Sequence, residues 1–159
     1  MGYFRACEKS TIMKKVQEEV RKVVGHKSNV EENDVTKMHY LKCVVKETLR
    51  LHPPATLLAP RKTISSVKVK EYDIPAESMV YINAWAIHRD PKFWESPEEF
   101  LPERFESSEV EFNGQHFQFI PFGFGRRSPG MNFGIAFVEY VLASLLYWFD
   151  LKVPEFDTL

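Results

Sequence analysis

Cysteine is scarce in this chain of 159 residues: there are two, Cys7 and Cys43, far apart and with no second cysteine or histidine beside either. That excludes a zinc finger and a disulfide framework, and it suits a reducing compartment. Charge of one sign is lacking too. The 21 basic and 22 acidic residues leave a net charge of -1, with no basic stripe to follow a phosphate backbone, so a nucleic-acid partner is not expected. The stretch Met1–Thr11 lacks the basic start, apolar middle and small-residue cleavage site of a secretory signal. The longest apolar run, Phe133 to Phe149, is interrupted by Glu139. It falls short of the roughly 20 residues that cross a bilayer and is expected as a buried core helix, leaving no membrane span in this chain. The five histidines show no paired ligand spacing and are expected to be structural, with no metal site among them. What is there, 44% hydrophobic and 27% charged residues without repeats, is the composition of one globular segment able to bury a core.

Met13, Val16, Val20 and Val23 recur at helical spacing among lysines and glutamates, and Gly25 follows as a C-terminal stop. A second helical pattern runs through Leu41, Val44, Val45, Thr48 and Leu49, and Pro53-Pro54 force it to end near Leu51 or His52. Ala55–Ile64, Val67–Ile74 and Met79–Asn83 read as strands, with Pro75-Ala76-Glu77-Ser78 as the turn before the third. Trp85–Arg89 reads as a short helical turn. From Asp90 to Phe119, prolines and phenylalanines without periodicity predict an ordered coil packed by its aromatics. The last helix carries a broad apolar stripe, Ile135, Val138, Val141, Leu142, Leu145, Leu146 and Phe149, which needs something large to pack against.

Glu47 and Arg50 stand three apart on the second helix, where their side chains share a face. Alone, such a pair is an ordinary surface feature contributing roughly 1 kcal/mol or less. Two further stretches change the weighing: Pro102-Glu103-Arg104-Phe105, which brings a second arginine, and Phe122-Gly123-Phe124-Gly125-Arg126-Arg127-Ser128-Pro129-Gly130, directly before the last helix.

Taken in order, an E-x-x-R helix, a P-E-R-F segment and a loop close to F-x-x-G-x-R-x-C-x-G resemble the cytochrome P-450 family of haem-thiolate monooxygenases. Leu49-Arg50-Leu51-His52-Pro53-Pro54 and Ala84-Trp85-Ala86-Ile87-His88-Arg89-Asp90-Pro91 also look like that family. The resemblance spans about Ile12 to Pro154, leaves residues 1–11 unmatched, and is closest to the plant microsomal branch. It implies a mainly α fold with a small β-sheet, the C-terminal portion of the cytochrome P-450 fold, as a single partial domain. It implies haem as cofactor, a small apolar substrate to be hydroxylated, a reductase partner, and the cytoplasmic face of the endoplasmic reticulum with any anchor elsewhere. Residue by residue, Glu47, Arg50 and Arg104 would form a buried ion network beneath the haem. Arg61 and Arg127 would neutralise its propionates through paired hydrogen bonds. Phe122 would shield the iron ligand, and Gly123, Gly125 and Gly130 would let the loop backbone approach the porphyrin. Thr56, Leu57 and Leu58 would border the substrate pocket.

The loop departs from the pattern at one place. Arg127 is followed by Ser128 and then directly by Pro129-Gly130, so the cysteine expected between Ser128 and Pro129 is absent. That thiolate favours cleavage of the O–O bond. The expectation is therefore a partial monooxygenase without its axial ligand, inactive as written. The alternative is a non-catalytic binding or interaction module that retains part of the fold. Phosphate binding by the Gly-Phe-Gly-Arg-Arg stretch is a third possibility, but it lacks the spacing of a P-loop or dinucleotide fingerprint.

Overall fold

The computed structural model describes residues 2–112, 114–124 and 131–151, with side chains from Thr11 onward. By internal packing the chain forms two compact units, Met1–Val45 with Asn132–Leu159, and Lys46–Met131.

In the first unit, α1 (Gly2–Val24) buries Val16, Val20 and Val24, one face of a 3.6-residue repeat. Gly25 ends it in the left-handed region at φ 63°, its N–H bonded to the Arg21 carbonyl. The short α2 (Glu32–Val35) and the first turns of α3 (His39–Leu51) close a core with Val30, Val35, Met38, Tyr40 and Leu41. The Glu19 carboxylate of α1 accepts the N–H groups of Tyr40 (2.9 Å) and Leu41 (2.8 Å), so one helix caps the start of another. Helix α5 (Met131–Trp148) adds Ala143 and Leu146 to that core. Gln17 of α1 donates to the carbonyls of Leu146 and Phe149 at its far end.

The expected apolar stripe of α5 is only partly covered. Ile135 and Leu146 are buried and Leu142 packs against the core, but Val138, Val141, Leu145 and Phe149 are exposed, as are Phe133, Phe137 and Trp148. The reading of α5 as a buried core helix is thus corrected. It is apolar on nearly every side, and the partners it meets cover one side. By length and composition it is long enough to cross a membrane, with 17% of it buried.

In the second unit the strands are shorter than expected. Only Arg61–Lys62 (β1) of Ala55–Ile64 pairs, with Met79–Val80 (β4), because Leu58 turns left-handed at φ 51° and Pro60 has no N–H to offer. Val67–Ile74 is two strands, β2 (Val67–Val69) and β3 (Tyr72–Ile74), paired antiparallel and separated by Lys70 at φ 53°. Alternation alone could not reveal that turn, since Lys70 and Glu71 carry no glycine or asparagine signal. Asn83 caps α4 (Ala84–Ile87), its side chain accepting from Ala86 at 3.0 Å. Among the described residues, the coil from Asp90 onward holds a 3-10 turn at Pro102–Phe105, and it is packed by Trp94, Phe105 and Phe119, whose ring centroids lie 5.3 to 6.1 Å apart.

Candidate functional site

Helix α3 aims Glu47 and Arg50 into the interior of the second unit, where both are fully buried. Two parallel bonds join them, Arg50 Nε to Glu47 Oε2 at 2.8 Å and Nη2 to Oε1 at 2.9 Å. The other three guanidinium hydrogens go to backbone carbonyls: those of His88 (2.8 Å) and Pro97 (2.7 Å) from Nη1, and that of Glu99 (3.0 Å) from Nη2. All five donors of Arg50 are used. The 3-10 turn delivers Arg104, whose Nε donates to Glu47 Oε1 at 3.1 Å and whose Nη1 donates to the Glu95 carbonyl at 2.9 Å. The Leu101 N–H adds a further bond to Glu47 Oε1 at 2.8 Å. One carboxylate thus faces two guanidinium groups, and the Trp94 ring lies against both. Among the described residues no buried side-chain nitrogen or oxygen lacks a partner. The arrangement has no exposed reactive group. It ties α3 to the coil through the carbonyls of Pro97 and Glu99 and the amide of Leu101, and to the end of α4 through the His88 carbonyl.

A second cluster gathers at the start of the loop. Gly123 adopts φ 80°, and a Cβ there would sit 3.7 Å from Leu58 Cδ1. Arg61 Nη2 donates to the Phe124 carbonyl at 3.1 Å, and its guanidinium lies 4.8 Å from the centroid of the Phe124 ring. Phe122 meets Phe112 edge-on at 6.3 Å and Phe124 meets Phe117 at 5.6 Å. Gly114 lets the coil approach this turn, since a Cβ there would meet Phe124 Cα at 3.2 Å. Leu58, Arg61, Gly123 and Phe124 are therefore neighbours, although far apart in sequence. Thr56 and Leu57 are exposed on the same segment as Leu58, and the Thr56 carbonyl accepts from the Trp85 N–H at 3.2 Å. Gly125, Arg127 and Gly130, together with Ser128 and Pro129, lie outside the described residues.

Sequence reasoning passed over one residue, His88. It is fully buried, its Nδ1 lies 3.1 Å from the Arg50 carbonyl, and its Nε2 accepts the Ile120 N–H at 2.9 Å. Burial lowers its pKa from 6.5 to about 4, helped by the positive charges of Arg50 and Arg89. Only the length of Ala84–Pro91 with its interior histidine hinted at this, since no charged partner in the sequence singles it out.

A buried Glu-Arg-Arg network, followed in sequence by a glycine-bearing loop and a long apolar helix, defines a class of protein rather than a particular reaction. The Cytochrome P450 family model matches residues 6–159, so the chain belongs to that family, whose cofactor is haem. The match begins a few residues earlier than the motifs alone reach. Among its relatives, the chain is 59% identical over 145 residues to phenylacetaldehyde oxime monooxygenase CYP71AN24 of Prunus mume, covering 91% of this chain and 28% of that relative. It is 59% identical to cytochrome P450 71A1 of Persea americana (90% and 29%) and 54% identical to ent-isokaurene C2/C3-hydroxylase of Oryza sativa subsp. japonica (91% and 28%). The chain spans about three-tenths of the length of these relatives, and all three are plant proteins.

The two cysteines are Cys7 and Cys43, and Cys43 is buried within α3, with four strands, α4 and the coil between it and the loop in sequence. Arg61, by contrast, is an exposed guanidinium at the loop's start and has the chemistry to meet a propionate.

Proposed function

We propose that this chain corresponds to the haem-facing C-terminal portion of a plant microsomal monooxygenase, and that in its present sequence it does not activate oxygen. The observation that carries this reading is the pairing of an intact support with a missing ligand. Glu47, Arg50 and Arg104 have every hydrogen bond such a support needs, yet no residue stands between Ser128 and Pro129. Haem held by a thiolate supplies the oxygen chemistry of the family. A serine hydroxyl ionises far less readily than a thiol, whose pKa is about 8.5, and does not replace it.

The role assigned to the other residues follows the same reading. Arg61 and Arg127 would pair with haem propionates, Phe122 would shield the iron ligand, and Gly125 and Gly130 would let the backbone come close to the cofactor. Thr56, Leu57 and Leu58 border a pocket for a small apolar molecule, in keeping with the oxime monooxygenase and hydroxylase names of two relatives. The complete protein takes electrons from a reductase at the cytoplasmic face of the endoplasmic reticulum.

The test uses a chimera in which the Persea americana relative supplies the residues before this chain. As written, its ferrous carbonyl complex lacks the red-shifted thiolate band. Inserting one cysteine between Ser128 and Pro129 restores both ligand and loop length and recovers the band. Ser128→Cys restores a thiol in a loop still one residue short and recovers little. A thiolate band from the unmodified loop would overturn the reading.

A further inference from the structure

The buried network and the loop are joined by one side chain, and that side chain is an imidazole. His88 ends α4, its N–H bonded to the Ala84 carbonyl at 2.9 Å. A carbonyl can only accept, so the ring nitrogen facing the Arg50 carbonyl, Nδ1, carries the proton. The Ile120 N–H can only donate, so Nε2 is bare. The two partners therefore dictate a neutral ring in one tautomer. The link to Arg50 is reciprocal, because the His88 carbonyl accepts from Arg50 Nη1 at 2.8 Å. Beyond Ile120 the order continues: its carbonyl accepts the N–H of Gly123 at 2.9 Å, which fixes the left-handed turn on which Phe122 and Phe124 sit.

We propose that His88 is a positioning residue, whose Nε2 lone pair sets the backbone at Ile120 and so couples the Glu47–Arg50–Arg104 network to the turn bearing Phe122 and Phe124. The geometry leaves the ring no means of holding Ile120 once protonated, since two N–H groups would then face one another. Burial and two nearby cations oppose protonation, and only the Arg50 carbonyl on the Nδ1 side favours it. From α3 comes Arg50, and from the end of α4 comes Arg89, whose guanidinium is spent on the Leu51 carbonyl (2.6 Å) and Glu98 (3.2 Å). Among the described residues no carboxylate bonds to the ring: that of Glu47 is taken by the two arginines and Leu101, and Glu99 offers Arg50 only its carbonyl. The coil contributes the uncharged Phe119, its ring 5.6 Å from the imidazole. Acid thus releases Ile120. The placement stands on backbone geometry, and only its bearing on a cofactor rests on the function proposed above.

Amide hydrogen exchange at Ile120 in the whole chain tests this, with two variants that divide the ring's bonds. His88→Asn places a polar atom near the Nδ1 position and none at Nε2, so Ile120 should lose about tenfold in protection at pH 7, the worth of one hydrogen bond, while α3 amides keep theirs. His88→Gln reaches the Nε2 position with a neutral acceptor and should rescue protection. The decisive readout is the pH profile. In the parent chain Ile120 loses protection as pH falls toward 4 before the α3 amides do, and in His88→Gln that separate loss disappears. Equal Ile120 protection in parent and His88→Asn, or the same acid profile in parent and His88→Gln, overturns the proposal. Should both variants fail to fold, the parent profile decides, because Ile120 opening only together with α3 removes the separate latch. Haem absorbance of the same proteins reports separately on the haem-facing reading.

Discussion

Two charged residues of one unit are among its most deeply buried, whereas the most apolar helix of the other is largely exposed. Glu47 and Arg50 have no accessible surface, yet Phe133, Phe137 and Trp148 of α5 are more than half exposed. Hydropathy ranks what a side chain costs to bury, but geometry decides whether a partner exists. Arg50 finds a matching acceptor for each donor, so its desolvation is compensated. An apolar side chain needs only area, and α5 has more apolar area than its neighbours cover.

This contrast can be broken most strongly at Glu47. Glu47→Ala leaves two guanidinium groups facing a cavity without a counter-charge and should cost about 3 to 5 kcal/mol, read as a shift in denaturant midpoint. Glu77→Ala, which removes the partner of Lys62 in an exposed pair, should cost less than about 1 kcal/mol. Similar losses for both would show that the buried network is no stronger than a surface pair.

Next in size is the acid dependence. His88 binds a proton near pH 6.5 when unfolded and near 4 when folded. Between those values the unfolded chain holds more protons, so stability present above about pH 6.5 declines as pH falls and the loss is complete below about 4. The full difference is about 3 to 4 kcal/mol, at about 1.4 kcal/mol per pH unit. Melting the parent and His88→Gln at pH 7, 5.5 and 4 should show the parent losing more by that amount, and parallel curves would contradict it.

The smallest effect on stability is expected on the exposed side of the comparison. Phe137→Ser on α5 should change the melting free energy by no more than about 0.5 kcal/mol. It should nonetheless lower self-association, measured by sedimentation, because an exposed apolar face of this size is expected to drive association. Unchanged sedimentation would mean that this face is not what drives association.

Much of this was legible in the chain itself because the signals were local. Gly25 and the Pro53-Pro54 pair end α1 and α3 through backbone constraints that act within a few residues. The order Glu47-x-x-Arg50, then Arg104, then the loop from Phe122 carried the family without any contact being known. Strand lengths were misread where a non-glycine residue, Leu58 or Lys70, takes a left-handed conformation that its residue type does not advertise.

By itself, then, the amino-acid order determined the long helices and the family, since each depends on neighbours in the chain or on identity alone. Tertiary structure decided which charges are buried and what they hold. Carbonyls at His88, Pro97 and Glu99 satisfy Arg50 from 38 to 49 residues away, and the Ile120 amide reaches back 32 residues to His88. A hydrogen bond needs two atoms within about 3 Å at a suitable angle, and only the folded backbone brings groups so distant in sequence to that separation.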